Sequence, residues 1–225
     1  MKRILDIMIA FAGLLLAAPL ILLCAAAIKL ESRGPVFYRA SRVGRGGADL
    51  RVLKFRKMRN GAGGQALTED RDPRFTRIGR LLARTRLDEV PQLVNVLVGE
   101  MSLVGPRPED RRFVDLHADA FRQILTVRPG ITGLCQLAFA RESEILDPAD
   151  RVGHYVERIL PQKVGLDCLY AERRSLGLDI RILVWTFLPV LLRKDVAVHR
   201  ATARLTLRRR AARAANVSES NVARV

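Results

Sequence analysis

Residues 7–28 read IMIAFAGLLLAAPLILLCAAAI, without a single charge. As a helix this run would be about 33 Å long at 1.5 Å per residue, close to the hydrocarbon thickness of a bilayer. A signal peptide would have a shorter apolar core followed by a small-residue cleavage site, and IKLESRGPVFY is a poor one. Pro19 falls near the middle, where it removes a backbone donor, frees the carbonyl of Leu15 and predicts a kink after Ala18. Both flanks are basic, with Lys2 and Arg3 before and Lys29 and Arg33 after, so charge bias assigns no orientation. The pattern leaves open a kinked single span and a segment that enters, bends at Pro19 and returns to the same face.

The pattern then changes to that of a water-soluble domain. VFYRA and LRVLKF flank a loop containing Gly44, Gly46 and Gly47, which predicts a β-hairpin. DPRFTRIGRLLARTRL places Phe75, Ile78, Leu81 and Leu82 on one helical face. Val90, Leu93, Val94 and Leu97 continue in helical phase to Gly99, with Pro91 in the first turn, so Asp88 and Glu89 are expected at that helix's N-terminus. GPRP predicts an extended turn, EDRRFVDLHADAFRQIL an amphipathic helix and RPGITG a loop. Further helices are expected in DPADRVGHYVERIL, KVGLDCLYAERRS and LDIRILVWTF. IRILVWTFLPVLLRK is short and broken by Pro189, which suits an interfacial segment or an ordinary core helix rather than a span. The expected fold is α+β and mainly helical: a membrane-inserted helix over 1–32, a cytoplasmic domain over 33–195 with a small hairpin and amphipathic helices at the membrane interface, and a basic tail over 196–225.

The formal net charge of +16 points to anionic partners. Aromatic residues make up only 5% of the chain, too few for the stacking platforms of a single-strand nucleic-acid binder, so no nucleic-acid partner is expected. The three cysteines form no CxxC pair, which argues against a disulfide framework or a zinc site. GxxxxGK[ST] and GxGxxG are both absent, which argues against nucleotide triphosphate and dinucleotide chemistry.

What remains is an acidic pair in a basic setting. Carboxylates at a helix N-terminus are favoured by the helix dipole and often have no other role. Here arginines crowd the pair, a field that keeps a carboxylate ionised and suited to attack or to metal binding. Two adjacent carboxylates can divide that labour, one attacking and one holding a divalent cation. LKFRKMR offers Lys54, Arg56, Lys57 and Arg59 to a phosphate; Lys54 and Arg56 there, Arg107 in GPRP, Arg128 in RPGITG, and Arg141 are the candidate phosphate-binding residues.

In order, KRILD, the Pro-containing apolar run, GPVFYRASRVGRGG, LKFRKMR, DPRFTRIGRLLARTRLDEVPQLVNVLVGEMSLVGPRP, RPGITGLCQL and LDCLYAERRSLGLDIRILVWTF resemble the bacterial sugar transferase family, the small monotopic phosphoglycosyl transferases. The resemblance covers roughly residues 2–190. It implies transfer of a sugar-1-phosphate from a UDP-sugar to undecaprenyl phosphate, releasing UMP and starting a lipid-linked glycan. By the same resemblance Asp88 is the nucleophile that forms a covalent phosphosugar intermediate, and Glu89 helps to hold Mg²⁺. The apolar helix is re-entrant, breaking at Ala18–Pro19, and the chain sits in the bacterial inner membrane with its catalytic domain on the cytoplasmic face, possible as a homo-oligomer. Departures from the family pattern are Ala18 in place of a serine, Arg86 two residues before Asp88, and Glu100 in place of an aspartate. Arg141 aligns only across a gap. The competing reading is a non-enzymatic basic membrane adaptor that recruits anionic partners.

Overall fold

The computed structural model describes residues 1–61, 72–140, 142–147, 149–192, 195–199 and 202–208. Helix α1 (Lys2–Glu31) continues through Pro19 as one element. Strands β1 (Phe37–Val43) and β2 (Asp49–Phe55) form the expected antiparallel hairpin, pairing Phe37 with Phe55 and Val43 with Asp49. Its connection places Gly46 and Gly47 at φ 70° and 81°, a region that disfavours residues with a Cβ.

Helices α2 (Arg77–Thr85) and α3 (Gln92–Val98) follow, joined by a 3-10 turn over Leu87–Glu89. Thr76 caps α2, its hydroxyl accepting from the Gly79 amide. Strand β3 (Ser102–Val104) runs into the GPRP segment. Helices α4 (Arg111–Leu116) and α5 (Ala118–Ile124) lead to β4 (Gly130–Thr132), which pairs in parallel with β3. RPGITG, expected as a loop, thus supplies a strand. A Cβ at Gly130 would lie 2.1 Å from the Gly105 amide nitrogen, so the two backbones can approach only because this residue is glycine. Helices α6 (Leu134–Ala138), α7 (Glu142–Ile145), α8 (Arg151–His154), α9 (Leu160–Arg173) and α10 (Leu176–Leu192) complete the helical layer, with a π-helical turn over Tyr155–Ile159 before α9.

The main core joins Val96, Met101, Val104, Leu134, Tyr170 and Ile182 from α3, β3, α6, α9 and α10 and the loop before β3. Strands β5 (Asp195–Val198) and β6 (Leu205–Arg208) form an antiparallel hairpin whose Val196 and Leu205 enter that core. The segment expected as a tail from residue 196 therefore begins as packed structure, because Val196 and Leu205 find apolar partners. Residues 209–225 lie outside the described set.

Two features of α1 stand out. From Ile4 to Ala26 its exposed residues are apolar, among them Phe11, Leu15, Leu16, Leu22 and Leu23. A protein in water does not leave such a surface uncovered. Both of its ends are nonetheless fastened to the same body. At the start, Lys2 Nζ contacts Asp179 Oδ2 at 2.5 Å, Arg3 donates to the Val96 and Leu97 carbonyls, and Asp6 accepts from the Ser102 hydroxyl. At the end, the Glu31 carboxylate accepts from the Arg77 and Ile78 amides at the open N-terminus of α2. Elsewhere, Val94 and Val98 on α3 and Ile180, Val184 and Phe187 on α10 are exposed, while Leu178 and Ile182 face the core. Helix α10 thus has both a core face and an outward apolar face. Of the residues expected on one face of α2, Leu82 is buried but Leu81 is 56% exposed.

Candidate active site

The acidic pair does not lie in the first turn of α3. Helix α2 ends at Arg86 in the left-handed conformation, φ 61°. The chain then makes the single 3-10 turn Leu87–Glu89 and enters α3 through Pro91. Arg86 carries the strain that a Cβ meets there, and its guanidinium donates to the Ala140 carbonyl. This tight reversal points the two adjacent carboxylates at different cations. Asp88 Oδ2 lies 2.8 Å from Lys57 Nζ, and Glu89 Oε1 lies 2.9 Å from Lys54 Nζ. The Asp88 side chain is 3% exposed and the Glu89 side chain 19%. Asp88 is therefore the inner group and Glu89 the one on the cleft wall.

A narrow cleft opens beside the pair, lined by Arg42, Lys54, Glu89, Gln92, Arg107 and Pro108. Burial tends to raise the Glu89 pKa, but Lys54 and Arg107 outweigh it and hold the carboxyl at about 2, against an ordinary 4.5. The same burial lowers the pKa of Lys54, with Glu89 opposing it. Arg107 is also penalised by burial. The carboxylates of Glu89, Glu142 and Glu109 reverse the sign and raise its pKa above the ordinary arginine value.

The segment carrying Arg107 is braced from behind. Tyr155 donates to Glu109 Oε2 at 2.8 Å, and Lys163 Nζ lies within 2.8 Å of the Tyr155 hydroxyl, 2.9 Å of Glu142 and 3.5 Å of Glu109. Asp167, 5% exposed, accepts from the Arg107 backbone N–H; its Oδ1 has no hydrogen-bond partner. Burial pushes that carboxyl up to about 8.

Of the phosphate-binding candidates, Lys54 and Arg107 join Glu89 on the cleft wall, beside the buried Asp88. Arg56 does not. Its guanidinium is buried against the end of α1, donating to the Arg33 and Ser32 carbonyls at 2.6 and 2.8 Å and to the Ser32 hydroxyl at 2.8 Å. Strand alternation would put Arg56 on the same face as Lys54. β2 ends at Phe55, however, and beyond it Lys57, not Arg56, lies against Asp88. Arg128 is also elsewhere, its Nε donating to the Gly99 carbonyl at 2.8 Å, at the end of α3 away from the acidic pair. The parallel register pairing Ser102 with Gly130 carries residue 128 there rather than towards Arg107. Arg141 lies outside the described residues.

Residues that the sequence did not single out are Gln92 and Arg42 on the cleft wall and the Glu109–Tyr155–Lys163 brace. No spacing signal links residues 46 positions apart, as Tyr155 and Glu109 are. Among the described residues no cluster of three or more His, Cys, Asp and Glu side chains could hold a metal alone. The fit for Mg²⁺ is of another kind: an ionised carboxylate on a cleft wall, with the remaining ligands left to phosphate oxygens and water.

The chain matches the family described as "Bacterial sugar transferase" over residues 1–193. It is 39% identical over 197 residues to a UDP-N-acetylgalactosamine-undecaprenyl-phosphate N-acetylgalactosaminephosphotransferase of Aeromonas hydrophila, covering 84% of this chain and 43% of that protein. It is 39% identical over 201 residues to a UDP-glucose:undecaprenyl-phosphate glucose-1-phosphate transferase of Caulobacter vibrioides, covering 87% and 71%. It is 38% identical over 202 residues to the exopolysaccharide production protein PSS of Rhizobium leguminosarum, covering 86% and 96%. The chain thus spans less than half of the Aeromonas protein and nearly all of the Rhizobium one.

Proposed function

This chain belongs to the bacterial sugar transferase family, and from that premise we propose that it transfers a sugar-1-phosphate from a UDP-sugar to undecaprenyl phosphate, initiating a lipid-linked glycan. The observation that carries this reading is the division of the acidic pair, with Asp88 inside on Lys57 and Glu89 on the cleft wall between Lys54 and Arg107.

In the first step an Asp88 carboxylate oxygen bonds to the sugar-bearing phosphorus. The bond from that phosphorus to the bridging diphosphate oxygen breaks, and UMP departs with the electron pair. In the second step an oxygen of undecaprenyl phosphate attacks the same phosphorus and Asp88 is released as a carboxylate. A carboxylate approaching a diphosphate meets like charge, which Lys54 and Arg107 offset. Glu89 would hold Mg²⁺, which when bound supplies further charge neutralisation on the phosphate oxygens. Glu89 is suited to this because it stays ionised.

The membrane placement rests on α1. Its two ends are attached to one body while its apolar middle, including Pro19, is exposed. Attachment of both ends to one body supports a re-entrant path; the break at Ala18–Pro19, within a helix that is continuous here, and the placement of the catalytic body on the cytoplasmic face of the bacterial inner membrane are part of the proposal. The exposed apolar faces of α3 and α10 then suit the headgroup region. Such placement brings a soluble nucleotide and a lipid phosphate to one site. Self-association of the chain is compatible with this arrangement.

The test is to supply purified protein in nanodiscs with undecaprenyl phosphate, Mg²⁺ and a panel of UDP-sugars that includes UDP-glucose and UDP-N-acetylgalactosamine, and to measure UMP. The expected result is UMP release with one or more donors, abolished by D88N and by chelation. A protein whose function survives D88N and fades gradually with loss of arginines would instead be an adaptor.

A further inference from the structure

We infer that Lys57 is a further catalytic residue, the cation that holds the Asp88 carboxylate before attack and then passes to the phosphoryl oxygens as the aspartyl phosphosugar forms. This rests on the transferase reading above, which places Lys57 against Asp88 but gives it no part in the chemistry.

The geometry separates Lys57 from the other cations. Its ammonium lies 2.8 Å from Asp88 Oδ2, whereas Lys54 is engaged with Glu89 and Arg56 with the end of α1. Asp88 is almost wholly buried, so water does little to solvate its charge. Lys57 is 27% exposed at its side chain, so its ammonium touches the buried carboxylate while part of the side chain remains accessible to solvent.

The lysine is also held from behind. Its carbonyl accepts from the Thr76 amide at 3.0 Å and from the Thr76 hydroxyl at 3.4 Å. A Cβ at Gly79 would lie 1.9 Å from that carbonyl oxygen, so α2 packs directly on the Lys57 backbone. The preceding residue is locked to α1 through the Arg56 guanidinium. With its main chain fixed on both sides, only the flexible four-carbon stem moves, and the Phe75 ring lies 5.8 Å from the ammonium. A point charge on a mobile stem can follow negative charge from carboxylate to phosphoryl oxygen without rebuilding the site. The lysine keeps its proton throughout. The only bonds made and broken are those at phosphorus described above.

The experiment uses the full-length protein in nanodiscs with a UDP-sugar that the wild type accepts. UMP release and the intact-mass adduct on Asp88 are followed for wild type, K57M, K57A and K57R. The expected result is a fall of about 10²-fold in kcat for K57M with a smaller change in KM for the donor. K57R should recover at least a tenth of the wild-type rate, and added ethylammonium should raise K57A activity in a saturable way. A K57M protein that forms the adduct at the wild-type rate overturns the inference while leaving the transferase reading intact. Loss of activity with neither K57R recovery nor amine rescue overturns it as well, because the lysine would then be structural. A wild type that releases UMP without an adduct on Asp88 overturns both.

Discussion

Lys54 Nζ and Glu89 Oε1 meet at 2.9 Å across the space between the hairpin and the 3-10 turn, within the reach of Arg107's charge. This pair makes Glu89 a permanent anion. Its pKa is depressed to about 2 from 4.5, so the stability that the charge interaction contributes is complete above pH 4.5 and is lost as pH falls towards 2. An acid limb in the activity profile between pH 4.5 and 7 should therefore belong to another group. Replacing Glu89 with glutamine should leave UMP release at least 10²-fold lower and weaken its Mg²⁺ dependence. A Mg²⁺ titration of UMP release in the wild type and E89Q checks this. An unchanged metal profile would remove Glu89 from that role.

Arg56 ties the hairpin to the end of α1 and should behave as a structural residue. Charge-assisted hydrogen bonds contribute about 1.5–3 kcal/mol each, and R56A leaves the Ser32 and Arg33 carbonyls without their donor. The expected loss of stability is about 3 kcal/mol, read as a lower thermal midpoint in detergent. At temperatures where R56A is folded, its KM for the donor should match that of the wild type. R107A should also lose stability, because Glu89, Glu109 and Glu142 lose a buried counter-cation, but unlike R56A it should raise KM or lower kcat at temperatures where it is folded.

Asp167 predicts a pH dependence of opposite sign to that of Glu89. Burial raises its pKa to about 8 in the folded protein, against an unfolded value of 3.8. The folded state therefore retains a proton that the unfolded state gives up, and stability falls as pH rises from about 4 to about 8. Above the folded value the loss is complete. D167N cannot ionise, so its thermal midpoint should change less between pH 5 and pH 8 than that of the wild type. Equal slopes for the two proteins would show that Asp167 is ionised in the folded state.

The two ends of α1 give a topological prediction. Cysteines introduced at Ile4 and at Arg33, each in a background with the native cysteines replaced, should react with an impermeant maleimide from the same side of sealed vesicles. Labelling from opposite sides would establish a spanning helix and would conflict with the contacts of Lys2 with Asp179 and of Glu31 with α2.

Much of this molecule was legible from local pattern. The uncharged apolar run, the glycine-linked hairpin and most of the amphipathic helices follow from periods of two and 3.6 residues, although EDRRFVDLHADAFRQIL forms two helices, α4 and α5, rather than one; the crowding of cations around Asp88 and Glu89 follows from short-range charge. Those signals exist because a residue's neighbours along the chain decide which face it shares.

What the sequence could not determine was set by distant contacts. Beyond the end of β2 at Phe55, Lys57 and not Arg56 lies beside Asp88. The pairing of β3 with β4 carried Arg128 away from the cleft. The left-handed turn at Arg86 sent two adjacent carboxylates to different lysines. The physical reason is common to all three. Local pattern specifies the face on which a side chain lies, but which charge it meets depends on how separate elements pack, and that is decided by the tertiary structure alone.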